Sequence, residues 1–333
     1  MSLIVTDCES DGVISIILIL NKLSKTRENH KVYILTTDYN THIKKLQIDK
    51  MLETFGNYSL NIRTNCLTPG LTGKYSDEGY GVVDIIGHEF LDDNNSIVSD
   101  DISVFFEDVN NVDLILLANV QGLPDVIAPI FGPKIKTIVS YGGYALNRLS
   151  YNWRRSIEDM RILFGMIKEY NKHLYVMTPD VIYGKHQPGR LTVYNNDKNV
   201  ANVYRDLVGV LKQYPIVWKI IHNWCMYMKG KSLTQQAFSY IEDDVPWEEF
   251  KDEVENNSMI MTPADISTSI MYLDILDGRL DKYEFDNYSD VILKSKKKIE
   301  YLESDDNKLF HMCSDSSNEN FVKYIQELIQ DLV

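Results

Sequence analysis

Three acidic residues near the amino end of the chain are the side chains best suited to chemistry. Asp7, Glu9 and Asp11 lie in the stretch LIVTDCESDGVISIILIL, between an apolar run typical of a strand and one typical of a helix. Carboxylates held this close repel each other unless a cation or a shared proton relieves the repulsion. A hard cation with oxygen ligands, calcium or magnesium, suits such a loop. Helix capping by Ser10 and Asp11 is the structural alternative, because hydroxyl and acidic side chains stabilise a helix start.

The elements that must position these acids alternate along the chain. Strands are predicted at 3–6, 31–36, 112–117, 135–139 and 173–177. Helices are predicted at 13–23, 42–55 and 321–332, and from about residues 123 and 156. Continuous apolar strands that are each followed by a helix predict an α/β fold, with a mostly parallel central sheet covered by helices on both faces. In such an open, Rossmann-like sheet the ligand crevice lies beyond the carboxyl ends of the strands, where the three acids come.

The overall composition limits the partners and the compartment. A formal charge of −14, with Lys and Arg scattered apart from a short run at 294–298, disfavours a nucleic-acid partner. The four cysteines show no paired spacing, so neither a disulfide framework nor a zinc site is indicated. The apolar run at 13–20 is too short to span a bilayer, and no basic region precedes it. We therefore expect a soluble, cytoplasmic protein with no membrane partner.

The acidic loop resembles the start of the nucleoside hydrolases, the family that includes the inosine/uridine-preferring nucleoside N-ribohydrolases. The family's first strand runs into a loop of the form D-x-D-x-x-x-D-D that holds calcium and the ribose, and here the loop is D-C-E-S-D-G. The similarity continues in order over about the first four-fifths of the chain, through KVYILTTDYNTHIKKLQIDKMLETF, LTGKYSDEGYG, VDLILLANVQGLPDVIA, IVSYGG, SYNWRRSIEDMRILF and MTPADISTSIMYL. By order and pattern the sequence is similar to a divergent member of that family.

The resemblance implies a set of site residues. A calcium ion would be held by Glu9, Asp11, Gln121 and Asp265. The candidate catalytic carboxylates are Asp7, Glu9 and Asp11, and the candidate sugar-binding residues are Asn40, Ser150 and Asn152. Help for the departing base is expected from His222, with Trp224 and Tyr227 at helical spacing from it. A helix rich in Trp, Ile and Met is more often part of a core, and that alternative stays open.

Three positions depart from the family pattern. Gly12 stands in place of an aspartate that is a bidentate calcium ligand, and Ala264 in place of a histidine that assists the leaving base in many members. Ser150 replaces a glutamate that contacts the sugar. The loss of a carboxylate lowers cation affinity, because site charge and ligand number tune it. The longer side chain of Glu9 would compensate if it reaches the cation.

Two functions from different classes follow. An enzyme would cleave the N-glycosidic bond of a nucleoside or related ribosyl compound at a calcium-assisted carboxylate site, because carboxylates stabilise an oxocarbenium-like transition state. The alternative is a catalytically inactive protein of the same fold with a binding or assembly role, which the three departures favour. A protein that holds a ribosyl ligand without cleaving it lies between them. The resemblance also implies a homo-oligomer.

The chain is predicted to form a single domain over residues 1–333. Loop insertions are expected near 91–101 and 184–202, where Pro, Gly, Asn and Asp interrupt the periodicity, and a variable acidic region near 232–258. The motif Tyr141-Gly142-Gly143-Tyr144 lacks the Lys-Ser/Thr of a phosphate-binding loop, which favours a tight turn. Cys8 should remain a thiol beside the carboxylates.

Overall fold

The computed structural model describes residues 1–38, 41–56, 58–67, 99–145, 148–183, 198–218, 220, 264–304, 307–316 and 318–333. Its strands are β1 (Ser2–Thr6), β2 (Lys31–Thr36), β3 (Asn61–Cys66), β4 (Val112–Leu116), β5 (Ile135–Tyr141), β6 (Tyr144–Ala145), β7 (Arg148–Leu149), β8 (His173–Met177), β9 (Tyr283–Tyr288), β10 (Asp290–Ser295), β11 (Lys298–Leu302) and β12 (Phe310–Ser316). Its helices are α1 (Ser10–Thr26), α2 (Thr41–Thr54), α3 (Ser99–Phe105), α4 (Leu123–Lys134), α5 (Tyr151–Arg155), α6 (Ile157–Glu169), α7 (Pro179–Tyr183), α8 (Lys198–Leu211), α9 (Ala264–Leu276) and α10 (Asn318–Leu332).

The central sheet has eight strands in the order β3-β2-β1-β4-β5-β8-β12-β9. All neighbouring pairs in it are parallel except β12 and β9, which are antiparallel. After β1, the chain adds β2 and then β3 to one side of it. It then adds β4, β5 and β8 in turn to the other side. The strand order therefore reverses beside β1, and ligands of open α/β sheets bind at such a reversal.

Both faces of the sheet are buried. Ile4 belongs to a core with α1, α2, α9 and α10, whereas Leu3 and Val5 belong to the opposite core with α4 and α6. Side chains alternate between the faces of a strand, so two covered faces require a strand that is apolar at every position. The predicted α/β class with a mostly parallel sheet is confirmed.

Several elements differ from the sequence predictions. Helix α1 begins at Ser10 and not at Val13. The helix expected from about residue 156 is confirmed as α6, and the short helix α5 before it was not predicted. The outer strand β3 was not predicted, because its polar sequence NIRTNC alternates between exposed and half-buried positions at the sheet edge. The hairpin of β10 and β11, and the strands β9 and β12, were not predicted either.

The predicted insertions fall partly on described residues. Helix α3 begins inside the first, and α8 begins inside the second. The variable region near 232–258 lies outside the described residues, and the single domain stays a prediction. Among the helices that the structure describes, none is long and apolar enough to cross a membrane.

Candidate functional site

The candidate site lies where the central strands end, and Asp7 is at its centre. Thr37 N–H donates to Thr6 O at 2.9 Å, and Leu117 N–H donates to Val5 O at 2.9 Å. These bonds extend the pairing of β1 with β2 and β4 past the strand ends. The residues that follow the three strands, Asp7, Asp38 and Asn119, are therefore side by side at one edge of the sheet. All three are buried.

The turn from β1 into α1 is tight. Cys8, in this turn, adopts a left-handed backbone conformation with a φ of 56°. Asp38, just beyond the end of β2, does the same with a φ of 74°. Glu9 is the N-cap residue of α1, and its side chain makes no capping hydrogen bond. Ser10 Oγ is buried without a hydrogen-bond partner. Side-chain capping therefore does not account for Glu9 and Ser10, whereas Asp11 lies in the first turn, where the helix dipole favours an acid.

Helix α9 adds a fourth carboxylate from a distant part of the sequence. Asp265 lies in its first turn and is buried, and its backbone N–H donates to Asp11 Oδ2 at 3.3 Å. Both helices therefore present their amino ends to the same place. Burial raises the pKa of Asp265, and the neighbouring Asp11, Asp7 and Glu9 raise it further, so the four carboxylates form one electrostatic cluster.

Burial dominates the protonation of the cluster. It raises the pKa of Asp7 to about 7, and the neighbouring Asp38 and Asp11 raise it further, while Lys44 and the Glu9 N–H oppose the shift. Burial raises the pKa of Asp11 to about 6, against the hydrogen bonds that its carboxylate accepts from backbone N–H groups. The pKa values of Glu9 and Asp265 are raised by the same cause. Carboxyl groups that exchange protons near neutral pH are suited to acid–base chemistry.

Gly12 lies against the cluster and lets the acids approach. A Cβ at this position would be 3.0 Å from Thr6 Oγ1, 3.2 Å from Asp265 Oδ2 and 3.9 Å from Asp7 Oδ1. The space in front of Gly12 is thus filled by other side chains of the site. Among the described residues, no three His, Cys, Asp or Glu side chains are arranged to hold a metal ion. Calcium binding by Glu9, Asp11, Gln121 and Asp265 remains a prediction from the sequence.

The other predicted residues have separate surroundings. Asn152 Nδ2 donates to Leu117 O at 3.3 Å, which attaches α5 to the end of β4. Ser150 precedes α5 and is fully buried, with no hydrogen-bond partner for its Oγ. Gln121 is half-buried in the turn between β4 and α4, where its N–H donates to Asn119 Oδ1 at 3.3 Å. Lying outside the described residues are Asn40, His222, Trp224 and Tyr227.

Several buried polar atoms at this edge have no hydrogen-bond partner within the part of the chain that the structure describes. They are Asp7 Oδ1, Ser10 Oγ, Asp38 Oδ1, Asn119 Nδ2 and Ser150 Oγ. A buried polar group that stays unpaired costs about 1–3 kcal/mol. Native proteins keep such groups mainly where a ligand, an ion or water pairs with them. A ligand, an ion or water that reaches this edge would therefore find several hydrogen-bonding atoms free of described partners.

Sequence reasoning missed Asp38, Lys44, Asn119 and Arg155. Asp38 Oδ1 lies 3.6 Å from Arg155 Nε, which connects the end of β2 to α5. The available signal was positional, because Asp38 and Asn119 follow their strands as Asp7 follows β1. Lys44 and Arg155 carried no such signal, since helical positions alone do not say which way a basic side chain turns.

The thiol and turn predictions agree with the structure. Burial raises the pKa of Cys8 to about 12, with Asp7 and Glu9 adding to the shift, so the group is a thiol at neutral pH. Gly143 has a φ of 103° between β5 and β6, a conformation that favours glycine in a tight turn.

Gly142 is expected not to tolerate alanine. A Cβ there would overlap the indole of Trp153, which is buried and packs edge-on against Phe164 with ring centroids 5.1 Å apart. Overpacking of this kind lowers the free energy of unfolding by about 1–3 kcal/mol, measured by denaturant titration. The control is Gly165→Ala, because a Cβ at Gly165 in α6 meets no atom within 4 Å. That change should stabilise by about 0.5–1 kcal/mol, and equal effects of the two substitutions would contradict the packing argument.

Comparison with known proteins shows which solved structures share this fold. No protein-family model and no curated protein matches the sequence. The structure is similar to the inosine-uridine preferring nucleoside hydrolase from Bacillus anthracis, with a TM-score of 0.62 and 14% identity over 100% of this chain and 99% of that one. It is similar to an inosine-guanosine nucleoside hydrolase, with a TM-score of 0.64 and 14% identity over 99% and 98% of the chains. It is also similar to the type III effector XopQ complexed with adenosine diphosphate ribose, with a TM-score of 0.64 and 9% identity over 99% and 93%.

Proposed function

Since the chain has the nucleoside hydrolase fold, we propose that it binds a nucleoside or related ribosyl compound beyond β1 and hydrolyses its N-ribosidic bond. The observation that carries this proposal is the cluster of Asp7 and Asp265, which are buried, with the half-buried Glu9 and Asp11, at the point where the strand order reverses. A structural role alone would not require two buried and two half-buried carboxylates close together, because unpaired buried charge is costly.

Binding of the sugar would use the unpaired polar atoms. A ribose has several hydroxyl groups, each both a donor and an acceptor, and could pair with Asp7 Oδ1, Asn119 Nδ2 and Ser150 Oγ. Asp7 and Asn119 follow the neighbouring strands β1 and β4, and Ser150 N–H donates to Gly143 O at 2.9 Å just beyond β5, the strand next to β4. The effector XopQ was crystallised with adenosine diphosphate ribose, which supports ribosyl compounds more broadly as the ligand class.

Hydrolysis would proceed by displacement of the base. A water oxygen bonds to the anomeric carbon as the N-ribosidic bond breaks, and the bonding electron pair leaves with the base. One water proton passes to a carboxylate, for which Asp7 is suited because its pKa is raised to about 7. The departing base takes up a proton from the solvent, and Asp7 afterwards releases its proton to the solvent, so that one water is consumed in each turnover. The remaining carboxylates stabilise the positive charge that builds on the sugar ring.

A nucleoside panel tests the proposal. Inosine, uridine, guanosine and adenosine are incubated with the protein, and released ribose is measured by a reducing-sugar assay. We expect release from at least one nucleoside, and a loss of about 10²–10⁴-fold in Asp7→Asn and Asp265→Ala, the range for removing a general acid or base. Glu107→Gln is the control, because Glu107 is exposed. Unchanged rates in both site variants would contradict the assignment.

An inactive protein with a binding or assembly role is the second candidate. It is favoured by Gly12, since the space where the family's second aspartate would project is filled by Asp265 and Thr6. Calorimetry with ribose, inosine and adenosine diphosphate ribose separates the cases. Binding without ribose release indicates a ribosyl-binding protein, and the absence of both indicates an assembly role.

Calcium binding and oligomerisation are predictions that need their own measurements. A calcium ion held by Glu9, Asp11, Gln121 and Asp265 would orient the sugar hydroxyls and make its bound water more acidic. Calorimetric titration of chelator-treated protein, repeated on Asp265→Ala, tests this prediction. Micromolar binding that disappears in the variant would support it, and no binding at millimolar calcium would contradict it. Sedimentation analysis tests whether the chain forms a homo-oligomer.

A further inference from the structure

The turn between β10 and β11 is a basic segment in an acidic protein. It has the sequence Lys294-Ser295-Lys296-Lys297-Lys298, in which every side chain is exposed, and we call it the basic tip. Lys294 pairs with Glu300 at 2.9 Å, whereas Lys296, Lys297 and Lys298 have no ion pair with any residue that the structure describes. Single exposed lysines are ordinary on a protein surface. Three of them in one turn, in a chain with a formal charge of −14, form a local positive patch.

The hairpin that carries the basic tip is fixed to α6. Arg161 Nε donates to Leu293 O at 2.8 Å, and its Nη2 donates to Lys294 O at 3.0 Å. Lys168 of the same helix pairs with Asp290 at 2.9 Å. Both ends of β10 are therefore attached to the body of the protein, and the tip has a defined position.

That position is beside the candidate site. Leu149 N–H donates to Lys296 O at 3.4 Å, and Tyr144 Oη donates to Lys297 O at 3.2 Å. Tyr144 and Leu149 belong to β6 and β7, which follow the carboxyl end of β5. The residue after Leu149 is Ser150, whose buried Oγ is one of the atoms proposed to bind the sugar. The basic tip thus lies at the same edge of the sheet as the acidic crevice.

The charges at this edge have opposite signs in two adjoining places. Asp7 and Asp265 are buried in the crevice, so an anionic group of a ligand is repelled there unless positive charges face it. A neutral nucleoside has no such group and would gain nothing from the three lysines. Lysine ammonium groups bind phosphate as point charges. The two places together therefore match a ligand with sugar hydroxyls at one end and a phosphate at the other.

We propose that the basic tip binds the phosphate of a phosphorylated ribosyl compound whose sugar lies beside Ser150. The preferred substrate class is then a nucleoside 5′-monophosphate or a related sugar phosphate, and not a free nucleoside. The placement of the sugar rests on the proposed function. The lysines take no part in breaking the N-ribosidic bond and act by binding the phosphate alone.

Calorimetry with inosine and inosine 5′-monophosphate tests the proposal. We expect wild type to bind the monophosphate at least about tenfold more tightly than inosine, the effect of one hydrogen bond between charged groups. The tip variant Lys296→Gln/Lys297→Gln/Lys298→Gln should lose this preference and bind inosine like wild type. It should fold, because the three side chains are exposed and the tip is attached through backbone carbonyls. High salt should also reduce the preference, since charges are screened over about 3 Å at 1 M ionic strength.

The control variant Lys136→Gln/Lys172→Gln/Lys308→Gln removes the same net charge. These lysines lie at or just before the amino ends of β5, β8 and β12, at the opposite edge of the sheet, and the control should keep the wild-type preference. Inorganic phosphate alone should bind more weakly than the monophosphate, because it lacks the sugar.

Four results overturn the proposal. They are equal binding of the two compounds by wild type, an unchanged preference in the tip variant, an equal loss of preference in the control, and binding of inorganic phosphate as tight as that of the monophosphate. Inosine binding without a gain from the phosphate leaves the proposed function standing. Binding of neither compound contradicts the proposed function as well.

Discussion

Replacing Asp274 with alanine is expected to lower the free energy of unfolding by about 3–5 kcal/mol, the range for removing one partner of a buried ion pair. Asp274 is fully buried near the end of α9. Its carboxylate accepts hydrogen bonds from Tyr283 Oη at 2.7 Å, Arg279 Nε at 2.9 Å, Tyr324 Oη at 3.0 Å and Asn320 Nδ2 at 3.2 Å. Alanine would remove the acceptor of four hydrogen bonds at once, which is more costly than the loss of a single bond.

The effect should reach the candidate site through α9. This helix is buried over most of its length and carries Asp265 at its start, so the bonds of Asp274 to β9 and α10 hold the helix that presents Asp265. Asp277→Ala is the matched control. Asp277 binds the same Arg279 at 2.7 Å, but its side chain is 33% exposed, so we expect a change below about 1 kcal/mol. Denaturant titration measures both variants, and a similar loss in the two would refute the central role of Asp274.

Acid is expected to destabilise the protein through His30. Burial lowers the pKa of His30 to about 3, and the nearby amino terminus and Arg27 add to the shift. An unfolded histidine has a pKa of about 6.5. Below that pH the unfolded chain takes up a proton that the folded protein refuses, so the contribution of neutral His30 is complete above pH 6.5 and is lost as the pH falls toward 3. At pH 5 the loss amounts to roughly 2 kcal/mol.

The measurement compares wild type with His30→Gln at pH 8 and pH 5. Between these two pH values the wild type should lose roughly 2 kcal/mol more than the variant, because the other titrating groups are common to both proteins. His30 Nε2 is 2.9 Å from Ser2 Oγ, which is 2.5 Å from Tyr272 Oη of α9. The same substitution therefore weakens a second attachment of α9 at both pH values. Identical pH dependence in the two proteins would show that His30 is protonated readily in the folded state.

The central strands could be predicted because their sequences fit only a strand that is buried on both faces. β1, β2 and β4 are apolar at almost every position, which fits only a strand covered on both faces. The outer strands have mixed sequences, since one side of β3 and of β9 is in contact with water, and they were not predicted. Asp274 was missed for a related reason. An aspartate near the end of a helix is usually solvated, and its burial depends on Tyr283 and Tyr324 from other elements.

The candidate site was predicted in part. Asp7, Glu9 and Asp11 were found because they interrupt an apolar sequence at the end of a strand, where the ligands of parallel sheets bind. Asp265 was placed with them only through the resemblance to the nucleoside hydrolases. Its proximity to Asp11 is a contact between residues that are far apart in the sequence. Asp38 and Lys44 were not predicted as parts of the site.

The α/β class, the alternation of the central strands with helices and the acidic loop could all be predicted from the sequence. Hydrophobic periodicity and local composition specify such features within a few neighbouring residues. Tertiary structure alone decided the charge balance of the site. The space in front of Gly12 and the meeting of α1 with α9 depend on how the helices pack on the sheet. Burial then raises the pKa values of the carboxylates, because the low dielectric of the interior makes each charge depend on its neighbours.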